Sequence, residues 1–157
     1  MDLGLKGRNA VVLGGTRGIG RAIADTLAGE GAGVAVCARN ADQVKNAVAG
    51  LKGNGGRATG ASVDITDGAA LKSWITDAAR ELGSIDILFS NAGAMAQGGD
   101  PASWEQNFRL DVLGAVNAFE AARPFLEAAG ENNGDAAFVI ICPVVGIVRV
   151  VAFPRRA

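Results

Sequence analysis

The stretch Gly14-Gly15-Thr16-Arg17-Gly18-Ile19-Gly20 stands between an apolar run, Ala10 to Leu13, and an alanine-rich helical pattern that begins at Arg21. A glycine-rich turn joining a buried strand to a helix start lets backbone N–H groups approach an anion that side chains would keep away. Spacing narrows the choice of anion. A P-loop needs Lys and then Ser or Thr after its last glycine, and here Arg21 and Ala22 follow Gly20. The common G-x-G-x-x-G pattern also fails, because position 17 is arginine. What remains is G-x-x-x-G-x-G over Gly14, Gly18 and Gly20, in which the first glycine makes the turn and the other two open room for a pyrophosphate and for helix packing. That pattern alone is equally the pattern of an ordinary turn.

The rest of the chain supplies the context. Gly18 to Glu30 reads as a helix with Ile19, Ile23 and Leu27 on one face, and Gly33 to Ala38 as a strand without polar alternation, hence buried on both sides. Asn40 caps a second helix with an apolar face of Val44, Val48 and Leu51, closed by the turn Lys52 to Gly56. Arg57 to Val63 gives a third strand ending at Asp64. Thr66 or Asp67 then caps a helix in which Leu71, Trp74, Ile75, Ala78, Ala79 and Leu82 form a continuous stripe, which makes Trp74 a core residue. Ile85 to Phe89 is a fourth strand running into Ser90-Asn91-Ala92-Gly93, followed by a loop through Met95, Gln97 and Gly98. Asp100 and Pro101 start a long helix reaching about Ala129, with Trp104, Phe108, Val112, Val116 and Phe119 along one side and a kink expected at Pro124. Ala136 to Cys142 is a fifth strand.

Apolar runs alternating with helical patterns predict a parallel sheet covered on both faces, because parallel neighbours need crossover helices. Such sheets bind ligands beyond the carboxyl ends of their strands. That edge carries Gly14 to Gly20, Ala38-Arg39, Asp64-Ile65 and Ser90 to Gly93.

Composition excludes several functions. The 157 residues carry a net charge of −1 with scattered basic residues, so no footprint for nucleic acid or an anionic membrane is present. No apolar run approaches the roughly 18 residues of a membrane span, and no charged-then-apolar leader opens the chain, which predicts a cytoplasmic protein. Cys37 and Cys142 have neither zinc nor redox spacing and read as packing residues. With no histidine and no tyrosine, imidazole triads and phenolic acid–base chemistry are excluded within this chain.

These residues resemble the classical short-chain dehydrogenases/reductases. Gly14 to Gly20 is similar to the family's T-G-x-x-x-G-I-G motif, with Leu13 where threonine is usual; Val63-Asp64-Ile65 is similar to its adenine-contacting strand end, and Ser90-Asn91-Ala92-Gly93 to its N-N-A-G motif. The resemblance implies a Rossmann-like, doubly wound α/β sheet of about five parallel strands in the order 3-2-1-4-5, truncated before the sixth and seventh. It also implies one NAD(P)-binding domain over residues 1–157, family-like over 1–142 and divergent over 143–157. By the same resemblance Gly14, Gly18 and Ile19 line the pyrophosphate and adenosine ribose, Asp64 and Ile65 the adenine, and Asn91, Ala92 and Gly93 the nicotinamide side, with Thr16, Arg17 and Gly20 of the same turn also expected to bind the cofactor. Asp64 also fits a plain helix-approach cap.

At the end of the second strand, where an NAD enzyme places a carboxylate for the ribose 2′-hydroxyl, stands Ala38, followed by Arg39. A guanidinium pairs with a 2′-phosphate that a carboxylate repels, so NADP(H) is expected over NAD(H), with Arg17 reaching the same phosphate. Arg39 as a solvated loop charge is the plainer reading.

The family's catalytic pattern breaks. Asp111 stands at its asparagine position and Pro143 at its serine position; by the usual spacing the tyrosine falls near Arg156 and the lysine beyond Ala157. The expectation is therefore an NADP(H)-dependent oxidoreductase acting on a carbonyl or alcohol, in a chain that is catalytically incomplete. The abrupt change after Ile141 reads as a frame shift, a premature stop or a half-domain. A non-catalytic nucleotide-binding or partner-pairing module is the alternative. With the fifth strand left as an apolar edge and the long helix uncovered, a homo-oligomer is expected, and three fates are open to the apolar tail Val144 to Val151: to form a strand itself, to cover that edge or to pair with another copy of the chain.

Overall fold

The structure, a computed structural model, describes residues 3–53, 56–94, 99–141 and 148–152. Strands β1 (Asn9–Leu13), β2 (Gly33–Ala38), β3 (Ala58–Ser62), β4 (Ile87–Ser90) and β5 (Ala137–Ile141) alternate with α1 (Gly18–Gly29), α2 (Ala41–Gly53) and α3 (Gly68–Leu82) and a long composite helix after β4. The five strands pair in parallel in the order β3-β2-β1-β4-β5, the predicted one.

Pleating divides the core in two. On central β1, Val11 and Leu13 belong to the layer under α3 and the long helix, while Ala10 and Val12 belong to the layer under α1 and α2. All four are fully buried. A central strand covered on both faces has no place for polar alternation, which is why its sequence reads as an unbroken apolar run. Helix α3 presents the predicted stripe to the core, with Leu71 and Ile75 at zero exposure. It is opened by Asp67, whose carboxylate accepts from the Ala69 and Ala70 N–H groups, and closed by Gly83 at φ +95°. Thr66, the other predicted cap, bonds Asp64 instead.

One feature departs from the sequence reading, and two decide what it left open. The long helix is α4 (Pro101–Asn107), a π-helical turn over Phe108–Leu113, and α5 (Gly114–Asn133), so it runs one turn past Ala129 and stays helical through Pro124. Trp104, Phe108, Val112 and Val116 do not enter the core but stand exposed on its outer side; only Phe119 turns inward, stacked on Phe138 with ring centroids 5.1 Å apart. The sheet also does not stop at five strands: β6 (Val148–Ala152) pairs with β5 in antiparallel register, Val150 opposite Val139, so the tail covers the edge from its own chain. Cys142, Pro143 and Arg156, and the loop with Met95, Gln97 and Gly98, lie outside the described residues. Among the described residues no helix is long and apolar enough to cross a membrane.

Candidate cofactor cleft

The strand order reverses between β1 and β4, and their carboxyl ends open onto a cleft of about 570 Å³. Four segments wall it. The glycine turn contributes Gly14, Thr16, Arg17, Gly18 and Ile19; the end of β2 and start of α2 contribute Cys37, Ala38, Arg39, Asn40 and Gln43. The end of β3 brings Val63, Asp64 and Ile65, and the end of β4 brings Asn91, Ala92 and Gly93, with Leu110 of the π turn closing one side. Every cofactor-binding residue expected from the sequence lines this one cleft except Gly20, which lies behind its wall.

The turn is built for close approach. Gly14 has φ +71°, and a Cβ there would meet the Ala92 Cα at 3.0 Å; Gly18 has φ +55° and faces open space. Gly14 N–H donates to the Cys37 carbonyl at 2.9 Å, and the Asn91 side-chain amide donates to the Gly14 carbonyl at 3.2 Å, so β2 and β4 hold the turn from both sides. Arg17 precedes α1 without a side-chain capping bond, and the first turn holds no acidic residue. The helix therefore offers its first N–H groups and the positive end of its dipole to the cleft, an arrangement that fits a pyrophosphate.

The side of the cleft at the ends of β2 and β3 is polar and mixed in charge. Asp64 Oδ1 accepts from the Thr66 N–H at 2.9 Å and from its hydroxyl at 2.7 Å. Those two bonds, the backbone one first, hold its carboxyl below the usual range, helped by the charge of Arg39. Asp64 thus both braces the turn that leads toward α3 and walls the cleft. Arg39 is set by its backbone, whose carbonyl accepts from the Ser62 hydroxyl at 2.7 Å. Asn40 caps α2 through Gln43 N–H at 2.9 Å. At the floor, burial pushes the Cys37 thiol up to about 12, so it is an inert packing group.

On the far side, Asp111 Oδ1 accepts from the Ala94 N–H at 2.7 Å, pinning the loop that leaves β4 to the π turn. A carboxylate here keeps the accepting half of an amide's bonding and loses the donating half. Among the described residues no group of three metal-ligating side chains occurs.

Cys37, Asn40, Gln43 and Leu110 were not anticipated as cleft residues. For Gln43 a signal existed: side chains tilt toward a helix's N-terminus, so the third residue of a helix that starts at the cleft reaches back to it. Leu110 had none, since its place depends on how the π turn meets the sheet.

Fold and cleft together define a Rossmann-like α/β nucleotide-binding protein. The family model "short chain dehydrogenase" matches residues 8–154, and the chain belongs to this family. It is 37% identical over 138 residues to isoepoxydon dehydrogenase of Penicillium expansum, a match covering 85% of this chain and 52% of that protein. Among solved structures, 7α-hydroxysteroid dehydrogenase complexed with NADH and 7-oxo glycochenodeoxycholic acid superposes with a TM-score of 0.79 at 30% identity, covering 87% of this chain and 53% of that one. A metagenomic short-chain oxidoreductase in complex with NADP gives a TM-score of 0.74 at 31% identity, covering 80% and 59%. The chain spans about half the length of the curated relatives it matches.

Proposed function

We propose that this chain is the cofactor-binding portion of an NADP(H)-dependent short-chain dehydrogenase/reductase, whose complete reaction moves a hydride between the nicotinamide and a carbonyl or alcohol. The observation that carries the NADP(H) preference is the meeting of Arg17 and Arg39 on one cleft whose β2 end is Ala38. Among the described lining residues the single carboxylate is Asp64, at the end of β3 and engaged with Thr66. Two guanidinium groups at this end favour a 2′-phosphate, and nothing there holds a 2′-hydroxyl as an acidic residue would. Both cofactors occur among the relatives above, so the preference rests on these side chains.

Arg39→Ala is the test. NADPH binding, followed by fluorescence titration, is expected to weaken by about 1.5–3 kcal/mol, roughly ten- to a hundredfold, while NADH binding stays where it was. Equal NADPH affinity in the variant and the parent removes the preference for NADP(H).

The bound cofactor supplies the hydride; the protein must exchange a proton with the substrate oxygen. With no tyrosine or histidine in the sequence, the cleft lacks the usual donors for that exchange. The reading is therefore binding without turnover: with NADPH and a simple ketone, loss of absorbance from this chain is expected to match the protein-free rate. A rate that scales with protein concentration defeats the claim of catalytic incompleteness and leaves the cofactor reading intact.

A further inference from the structure

The two halves of the cleft differ in charge. Its basic lining residues, Arg17 and Arg39, stand at the glycine turn and at the end of β2. On the β4 side the lining residues Asn91, Ala92, Gly93 and Leu110 carry no charge, and the carboxylate of Asp111 lies one residue beyond them. Asp111 follows Leu110 and Ala94 follows Gly93, so the 2.7 Å bond from the Ala94 N–H to Asp111 Oδ1 fixes that half-buried carboxylate to this wall. Among the described residues no ion pair includes Asp111. Arg109, the basic residue closest to it in sequence, is exposed, pairs with Glu105 at 2.8 Å and lines a separate hollow with Arg39, Asp64 and Thr66 on the β3 side.

Resting on the cofactor reading above, we propose that Asp111 makes this cleft select the oxidised form of the cofactor over the reduced one. A pyrophosphate at the end of β1 leaves one nucleoside on the side of β2 and β3 and the other on the side of β4. With the 2′-phosphate at Arg39, the nicotinamide belongs to the β4 side, within the field of Asp111. Oxidised and reduced cofactor differ in charge at that ring alone, which is positive in the first and neutral in the second. Contacts to the adenosine and the phosphates are common to both forms and cancel in the ratio of their affinities. What remains is the attraction of one carboxylate for the oxidised ring. For a partly solvated charge this amounts to roughly three- to tenfold in affinity. Preferences of that size lower the potential of the bound two-electron couple by about 14–30 mV, which makes the bound reduced form the stronger hydride donor. The cleft is thus basic where the dinucleotide is most negative and acidic where its oxidised form is positive.

Calorimetric titration of the whole chain with NADP+ and with NADPH tests this by the ratio of the two dissociation constants. The parent is expected to bind NADP+ the more tightly. Asp111→Asn keeps an oxygen to accept the Ala94 N–H but loses the charge, and it is expected to reduce that preference roughly three- to tenfold. A merely structural role for Asp111 weakens both forms equally, and an unchanged ratio overturns the proposal while leaving the cofactor reading standing. NAD+ and NADH differ at the same ring, so the same change of ratio is expected with them even where the preference for the 2′-phosphate fails. Should Asp111→Asn not fold, the parent decides alone: NADPH bound as tightly as NADP+, or more so, overturns the selection. A chain that binds none of the four overturns the cofactor reading and this inference with it.

Discussion

Asp86→Ala is expected to cost about 1–3 kcal/mol of folding stability or more, the penalty for leaving a buried donor without its acceptor. Asp86 is 1% exposed. Its carboxylate accepts from the Asn9 N–H at 2.9 Å, the Ser84 hydroxyl at 2.9 Å, the Arg8 guanidinium at 3.1 Å and the Asn133 side-chain amide at 2.6 Å. These donors come from β1, the turn before β4 and the end of α5, so one side chain ties three elements at the amino ends of the strands. Arg57 extends the knot, donating to Asn9 Oδ1 at 2.8 Å and to the Leu82 carbonyl at 2.9 Å. Alanine leaves the buried Asn9 N–H without its acceptor and takes the same carboxylate from the half-buried Arg8 and Ser84, and the unpaired buried donor is the larger loss. Against a typical total of about 5–15 kcal/mol, that is a large share of the stability of a domain. The control is Asp135→Ala, which removes the second carboxylate on Arg8. Its side chain is 76% exposed, and a loss of at most about 1 kcal/mol is expected. Urea unfolding of the three proteins checks both values. Equal midpoints for the two variants refute the assignment of Asp86 as the knot. Because the knot lies at the opposite end of the strands from the cleft, NADPH affinity of whatever fraction stays folded is expected to be unchanged.

The elements were legible wherever the signal was local. The unbroken apolar runs of β1 and β2, the stripe from Leu71 to Leu82 and the caps at Asp67 and Asp100 each need only a dozen neighbouring residues, and each is where the sequence put it. The cleft was legible for a different reason: in a doubly wound sheet all strand carboxyl ends lie on one edge, so motifs at the ends of β1, β3 and β4 converge once the order of strands is known. What escaped is non-local. Arg8 and Asp86 are 78 positions apart, and nothing near either residue advertises the other. The π turn escaped because apolar residues at spacing four suit an α-helix equally well, and only the meeting of Leu110 and Asp111 with the site distinguishes them. Strand β6 was one of three fates open to an apolar tail, and pairing partner and direction are not encoded in a run such as Val148 to Ala152. The outward row at Trp104, Phe108, Val112 and Val116 showed its periodicity but not its direction, since a stripe facing outward and a stripe facing the core look alike in sequence.

Gly20→Ala is expected to be the most damaging single-methyl change at the cleft. Gly20 sits in the first turn of α1, with ordinary helical geometry, so conformational freedom is not what glycine supplies here. Space is: a Cβ would collide with the Gly14 carbonyl oxygen and with the Asn91 side-chain nitrogen, two atoms already joined in a hydrogen bond of 3.2 Å. Neither yields cheaply. The carbonyl belongs to the turn that begins at the end of β1, and the amide is held by the end of β4, so relief must come from moving α1 outward. That movement breaks the Asn91 bond and carries the N–H groups at Gly18 and Ile19 away from the position where a pyrophosphate would sit. Overpacking of this kind costs about 1–3 kcal/mol in stability. If the displacement forfeits even one charge-assisted bond to the phosphates, affinity for NADPH falls by roughly tenfold or more. The matched control is Gly29→Ala at the other end of the same helix, where nothing lies within 4 Å of the added methyl. There the usual helix preference makes alanine neutral or stabilising by up to about 1 kcal/mol, with binding intact. Thermal melting and NADPH titration of the pair separate the steric effect from a general intolerance of α1 to alanine. A Gly20→Ala protein that binds NADPH as tightly as the Gly29→Ala protein rules out the packed glycine as the support of the phosphate turn.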